Sequence, residues 1–360
     1  MTPQNTSFDS AGPSGYETPV GHPVPAAPYP VAPGGDQMPI QPLTETASRH
    51  PWPAPGHSRL HVKDRPRRRR WWIPLLTALL GIAIWSVVAF ASGIALGVWI
   101  AMKGGGFEDL VAVAGGRDGD FSNPLFYVFT FGLIALMIPA LAIAVRVVEG
   151  VRLGALSSIR GRLRWGILAR ALGLALLVLS PSVILSIRDI VASGGIGTDQ
   201  LTTGAALLPL ILIVVPTQAA AEEYVFRGFA LRALMGWGLA PLVAMIVAVV
   251  PFTLGHVYGW KGMLDVTVFG LCMAWLVVRT GGLEAAIGLH VVNNLIGAVF
   301  SAFGQGNLLD DNIPVWTLIL SLVQTLVYTA IADRLWAAKK SRSTPASSPE
   351  EGEGLRVVDL

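Results

Sequence analysis

The chain has 360 residues, 52% hydrophobic and 14% charged, with a net charge of +3 and a mean hydropathy of +0.58. Soluble domains carry about 25% charged residues, so this composition excludes an ordinary soluble protein and indicates a polytopic membrane protein. The small net charge, with basic residues gathered beside apolar segments, excludes nucleic-acid binding and reads as topology signalling; the single cysteine, Cys272, excludes an internal disulfide and reads as a packing residue.

Residues 1–64 are rich in Pro, Gly, Ser and Ala and show no periodic apolar pattern. Such a segment cannot bury enough surface to offset its ordering entropy and is expected to be disordered. It contains no apolar core of signal-peptide length, so the first membrane helix is expected to serve as its own insertion signal. The tail histidines His22, His50, His57 and His61 have no metal-ligand spacing. Arg65-Pro66-Arg67-Arg68-Arg69-Arg70 then runs directly into Trp71-Trp72. Arginines among headgroups followed by interfacial tryptophans mark a cytoplasmic helix start.

At about 20 residues per crossing, eight spans are predicted, near 71–102, 124–145, 167–187, 202–235, 239–257, 262–279, 283–303 and 313–335. The loop charges alternate accordingly. Glu108, Asp109, Asp118 and Asp120 fall outside; Arg152, Arg160, Arg162 and Arg164 inside; Arg188, Asp189 and Asp199, then Asp310 and Asp311, outside; Arg334, Lys339, Lys340 and Arg342 inside. This pattern puts both termini in the cytoplasm. The expected fold class is all-α: a polytopic membrane protein with about eight transmembrane helices and a disordered N-terminal tail. The expected division is a tail at 1–64, a basic anchor with three helices at 65–200, a core at 201–303, a last helix at 304–341 and a polar tail at 342–360. The fourth span is too long for a simple crossing: the 34 positions 202–235 would extend about 50 Å.

That span carries Glu222-Glu223-Tyr224-Val225-Phe226-Arg227. A buried carboxylate in lipid is costly and needs a partner or a task. Glu223 and Arg227 are four apart on a helix and suited to pair, while Glu222 is turned about 100° away and is left for base chemistry. The plainer reading, two glutamates capping a helix at the interface, conflicts with the apolar run continuing through Phe229, Leu231 and Leu234. The next span ends Phe252-Thr253-Leu254-Gly255-His256. Alone, His256 reads as a core histidine on an apolar helix, with Gly255 allowing close helix packing. The third element is His290-Val291-Val292-Asn293-Asn294. His290 and Asn294 share a face and have the donors an oxyanion site needs, unless Asn294, or Asn293 in its place, simply hydrogen-bonds a neighbouring helix.

Glu-Glu-x-x-x-Arg, Phe-x-x-x-His and His-x-x-x-Asn on successive membrane helices resemble the CAAX prenyl proteases and bacteriocin-processing enzymes (CPBP), also called the Abi family. The resemblance covers about residues 200–300, and Phe226-Arg227-Gly228 fits it too. It implies an intramembrane endopeptidase in which Glu222 and His256 activate water, His290 and Asn294 stabilise the tetrahedral intermediate, and Glu223 and Arg227 shape the site. It leaves two mechanisms open. Glu222, His256 and His290 match the three protein ligands of a catalytic zinc, with Asp265 as an extra candidate; without metal, Glu222 is the base and the histidines polarise or donate. The expected partners are the lipid bilayer and a membrane-anchored peptide or protein substrate in a bacterial plasma membrane. Two other readings are a proton- or ion-coupled transporter using the same cluster, against which no internal repeat is found, and a non-catalytic immunity or scaffold protein.

Overall fold

Long apolar runs in lipid can satisfy their backbone groups internally as α-helices. The computed structural model describes residues 71–113, 121–256, 258–306 and 314–342 and contains no β-strand among them. The expected tail at 1–64 with its histidines, the basic run before Trp71, the polar tail beyond Arg342 and the loop acids Asp118, Asp120, Asp310 and Asp311 lie outside the described residues.

In chain order the helices are α1 (Ile73–Met102), the short α2 (Phe107–Val113), α3 (Pro124–Glu149), α4 (Trp165–Ala192), α5 (Thr198–Gly236), α6 (Pro241–Leu254), α7 (Trp260–Thr280), α8 (Glu284–Ala302) and α9 (Val315–Arg342). Among the described residues seven, all but α2 and α6, are long and apolar enough to cross a membrane. The expected fifth crossing, 239–257, is the 14-residue α6, about 21 Å of helix against roughly 30 Å of hydrocarbon. Its last turn contains Pro251, the Gly255 N–H closes on the Pro251 carbonyl, and the helix stops at Leu254. His256 therefore follows the helix instead of lying on it. Gly255 is exposed, and a Cβ there would meet only its own turn, so the expected close helix contact is absent at this glycine.

The helix ends that eight alternating crossings put on one side are the ends tied together. Thr77 near the start of α1 donates to Glu149 at the end of α3, and Glu149 pairs with Arg232 of α5 at 2.8 Å. Arg279 near the end of α7 pairs with Asp333 of α9 at 2.7 Å. Arg164, entering α4, grips Glu284 at the start of α8 through its backbone N–H, Nε and Nη2, at 2.6 to 3.0 Å. The segment before Arg164 is pinned to the α7–α8 turn by the Ile159 N–H on the Gly281 carbonyl and the Leu283 N–H on the Ser157 carbonyl. Ser157 also bonds the Tyr224 hydroxyl at 2.6 Å.

Helix α8 is the centre of the bundle. Of its most apolar window 61% is buried, against 6% for α1, whose Leu79, Val87 and Phe90 are exposed as a lipid-facing helix requires. Helix α8 packs chiefly against α4 and α5. Gly288 permits the approach to α4, since a Cβ there would lie 2.6 Å from that of Ala171. Cys272 is buried in the apolar cluster with Phe269, Met273 and Leu289, a packing residue as expected.

Candidate active site

Helix α5 changes character at the glutamates. It is α-helical through Glu222 and π-helical from Glu223 to Ala230, a rare geometry that widens the turn and recurs at functional sites. Four charged or titratable side chains are buried here in an apolar bundle: Glu222, Glu223, Arg227 and His290 are 7%, 0%, 2% and 3% exposed.

Glu223 is the fixed member. Its Oε1 accepts from Arg227 Nη1 at 3.0 Å and meets His290 Nδ1 at 2.7 Å, so one carboxylate oxygen joins α5 to α8. The expected i, i+4 pairing with Arg227 is present. Arg227 is held further by Nη2 donating to the Gly270 carbonyl at 3.3 Å and by the Phe252 ring, 4.0 Å from the guanidinium carbon. Space at Gly270 is tight: a Cβ would stand 3.1 Å from Arg227 Nη2 and 3.2 Å from the Phe252 ring.

Glu222 is oriented differently, as its position on the helix implies. Its Oε2 lies 3.3 Å from His290 Nε2 without hydrogen-bond geometry, and that buried oxygen has no hydrogen-bond partner among the described residues. An unpaired buried carboxylate oxygen costs free energy and is the kind of group found where chemistry is done. His256 reaches this cluster through Phe252, whose ring centroid lies 4.8 Å from that of His256 and 6.2 Å from that of His290, edge-on to both. His256 Nδ1 is bound to the Phe252 carbonyl at 2.8 Å.

Asn294 is bonded to two neighbouring amides. Its Nδ2 donates to Gln218 Oε1 at 3.0 Å, and its Oδ1 accepts from the exposed Asn293 at 3.2 Å. Gln218, 3% exposed, is the site residue that sequence reasoning missed. The available signal was its position four residues before Glu222 in an otherwise apolar run. Asp265 accepts from Ser321 of α9 at 3.1 Å and is not joined to the glutamates or histidines.

Zinc fits these residues only in part. A tetrahedral ion with legs of about 2.0–2.1 Å sets its ligands roughly 3.4 Å apart, close to the separation of Glu222 Oε2 and His290 Nε2. Both histidines also have Nδ1 bound to an oxygen, as metal-binding imidazoles do. The third ligand is lacking: among the described residues no three His, Cys, Asp or Glu side chains are grouped to hold an ion, so the expected Glu222–His256–His290 set is not assembled.

A helical membrane bundle with a buried Glu–Arg–His cluster on its central helices defines a class of membrane-embedded protein, and the comparisons give that class a name. Residues 204–296 match the family model described as Type II CAAX prenyl endopeptidase Rce1-like, so this segment is similar to the CAAX-protease (CPBP) family. It is also 30% identical over 164 residues to an uncharacterized protein, YyaK, of Bacillus subtilis (strain 168), covering 39% of this chain and 52% of that protein. The chain thus spans about half the length of this curated relative. No solved structure matches.

Proposed function

We propose that this protein is an intramembrane endopeptidase that hydrolyses a peptide bond in a membrane-associated peptide or protein. The observation that carries the reading is the asymmetry of the glutamate pair: each has a buried Oε2 without a hydrogen-bond partner among the described residues, but Glu223 is anchored through Oε1 by Arg227 and His290, while Glu222 has only the 3.3 Å approach of its Oε2 to His290 Nε2. Glu222 takes a proton from water, and the hydroxide oxygen attacks the carbonyl carbon. His256 assists Glu222 in activating the water, the resulting oxyanion is stabilised by donors from His290 and Asn294, and Glu222 returns the proton to the departing amine.

The geometry places His290 between the two glutamates, with Nδ1 on Glu223 Oε1 at 2.7 Å and Nε2 facing Glu222 Oε2 at 3.3 Å. Zinc would supply Lewis-acid activation of water, but among the described residues no third protein ligand is grouped with Glu222 and His290 to hold it. The family match favours hydrolysis over the ion-relay reading. Substrates are a membrane-anchored peptide, a bacteriocin precursor or a regulatory protein in preference to a prenylated one, in a plasma membrane of bacterial type with both termini cytoplasmic.

The test compares terminal peptides in membranes from cells expressing wild-type protein and Glu222→Gln. New termini confined to wild type, with the variant present at equal level, are expected. Identical termini in both would end the hydrolytic assignment.

A further inference from the structure

The geometry points to Gln218 as the positioning residue for Asn294, a role that rests on the hydrolytic reading above. Helices α5 and α8 run antiparallel and meet along one seam. The cross-pair Glu222–His290 is one rung. Four residues along each helix, away from the ion-paired ends, lies the next, Gln218–Asn294. The rest of the seam is apolar, with Ile211, Val215, Ala298 and Ala302 beyond it and Ala219, Ile287 and Val291 beside it. Packing alone is met at such positions by residues like these. An amide buried there is costly unless bonded, so its presence calls for a reason beyond filling space.

The bonds provide one. Asn294 is held at both ends of its carboxamide: Nδ2 on Gln218 and Oδ1 on Asn293. A free carboxamide can turn its oxygen or its nitrogen toward a given point, and only the nitrogen stabilises an oxyanion. Since Gln218 takes one Nδ2 hydrogen, the other remains to be given on the seam that carries Glu222. Gln218 touches no reacting atom in this scheme; it fixes which end of Asn294 does.

A double-mutant cycle on cleavage of the peptide recovered from the wild-type membrane comparison tests this. Removing an oxyanion donor costs about 10²–10³ in kcat, the loss expected for Asn294→Ala. Gln218→Met should lower kcat about tenfold with KM within about twofold, and the double variant should be no slower than Asn294→Ala alone, because residues acting as a unit are non-additive. Gln218→Asn, an amide too short to reach, should behave like Gln218→Met and guards against a folding defect peculiar to methionine. A merely structural role would lower the unfolding temperature and add to Asn294→Ala. Wild-type kcat in both Gln218 variants, or additive losses, overturns the proposal. Cleavage surviving Glu222→Gln would instead bring down the hydrolytic reading itself, so the two failures are distinguishable.

Discussion

At the scale of residues, the site is two carboxylates made unequal by their neighbours. Arg227 and His290 both act on Oε1 of Glu223, so Glu223→Gln would disturb three groups, whereas Glu222→Gln removes one unbonded oxygen. Glu222→Gln should therefore unfold at the wild-type temperature in detergent while losing about 10²–10⁴ in rate, the contribution of a general base. Arg227→Ala should behave in the opposite way. Removing one partner of a buried pair costs about 3–5 kcal/mol because the other charge is left unpaired, so this variant should show a clearly lowered unfolding temperature as well as inactivity. An Arg227→Ala protein as stable as wild type would mean that the pair with Glu223 does not hold the fold together. The i, i+4 half of the arrangement was legible in the sequence because it is local. The bonds from Glu223 to His290 and from Gln218 to Asn294 were not, since they depend on the register of α5 against α8, and single-helix periodicity does not fix that.

At the scale of elements, two departures from regular helix shape the site. The π segment Glu223–Ala230 was invisible to a reading built on 3.6-residue periodicity. It coincides with the motif and begins at the residue that bridges to α8. The early end of α6 was legible only in part: Pro251 and Gly255 are breakers, yet the apolar run through them looked like a full crossing. Gly270, unremarked in sequence, is where the backbone of α7 accepts from Arg227 and a Cβ would crowd it. Gly270→Val should thus push the guanidinium off Glu223, with an overpacking cost of about 1–3 kcal/mol, and abolish cleavage. Normal cleavage by that variant would show that Arg227 can yield without consequence. The buried Arg164–Glu284 pair, 2.6 Å across, sets the start of α8 six residues before His290. Glu284→Ala should cost about 3–5 kcal/mol, and Arg164→Met/Glu284→Leu should recover much of it. Unfolding temperatures of the three proteins would decide, and an unaltered Glu284→Ala protein would show that the clamp is dispensable. In the sequence Arg164 looked like one of four topology arginines; only the fold separates it from the exposed Arg160 and Arg162.

At the scale of the whole molecule, the loop charges and the three-dimensional links bear on the same question by independent routes. Eight alternating crossings assigned the ends of α1, α3, α4, α5, α7, α8 and α9 to a common side; the pairs Glu149–Arg232, Arg164–Glu284 and Arg279–Asp333 join six of those ends, and Thr77–Glu149 adds that of α1. The links bear on which ends share a side; that this side is the cytoplasm is an expectation from the sign of the loops. Cysteine labelling separates the two inferences. Cys272 is the single native thiol and is buried, so a Cys272→Ala background carries one engineered cysteine at a time. Arg160→Cys, in the segment between α3 and α4, should react with a membrane-impermeant maleimide only in inside-out vesicles. Gly195→Cys, between α4 and α5, should react only in intact spheroplasts. Labelling of both from one side would break the eight-crossing parity itself. Opposite labelling with the sides exchanged would keep the parity and the bundle, and would show that the arginines between α3 and α4 do not set the orientation.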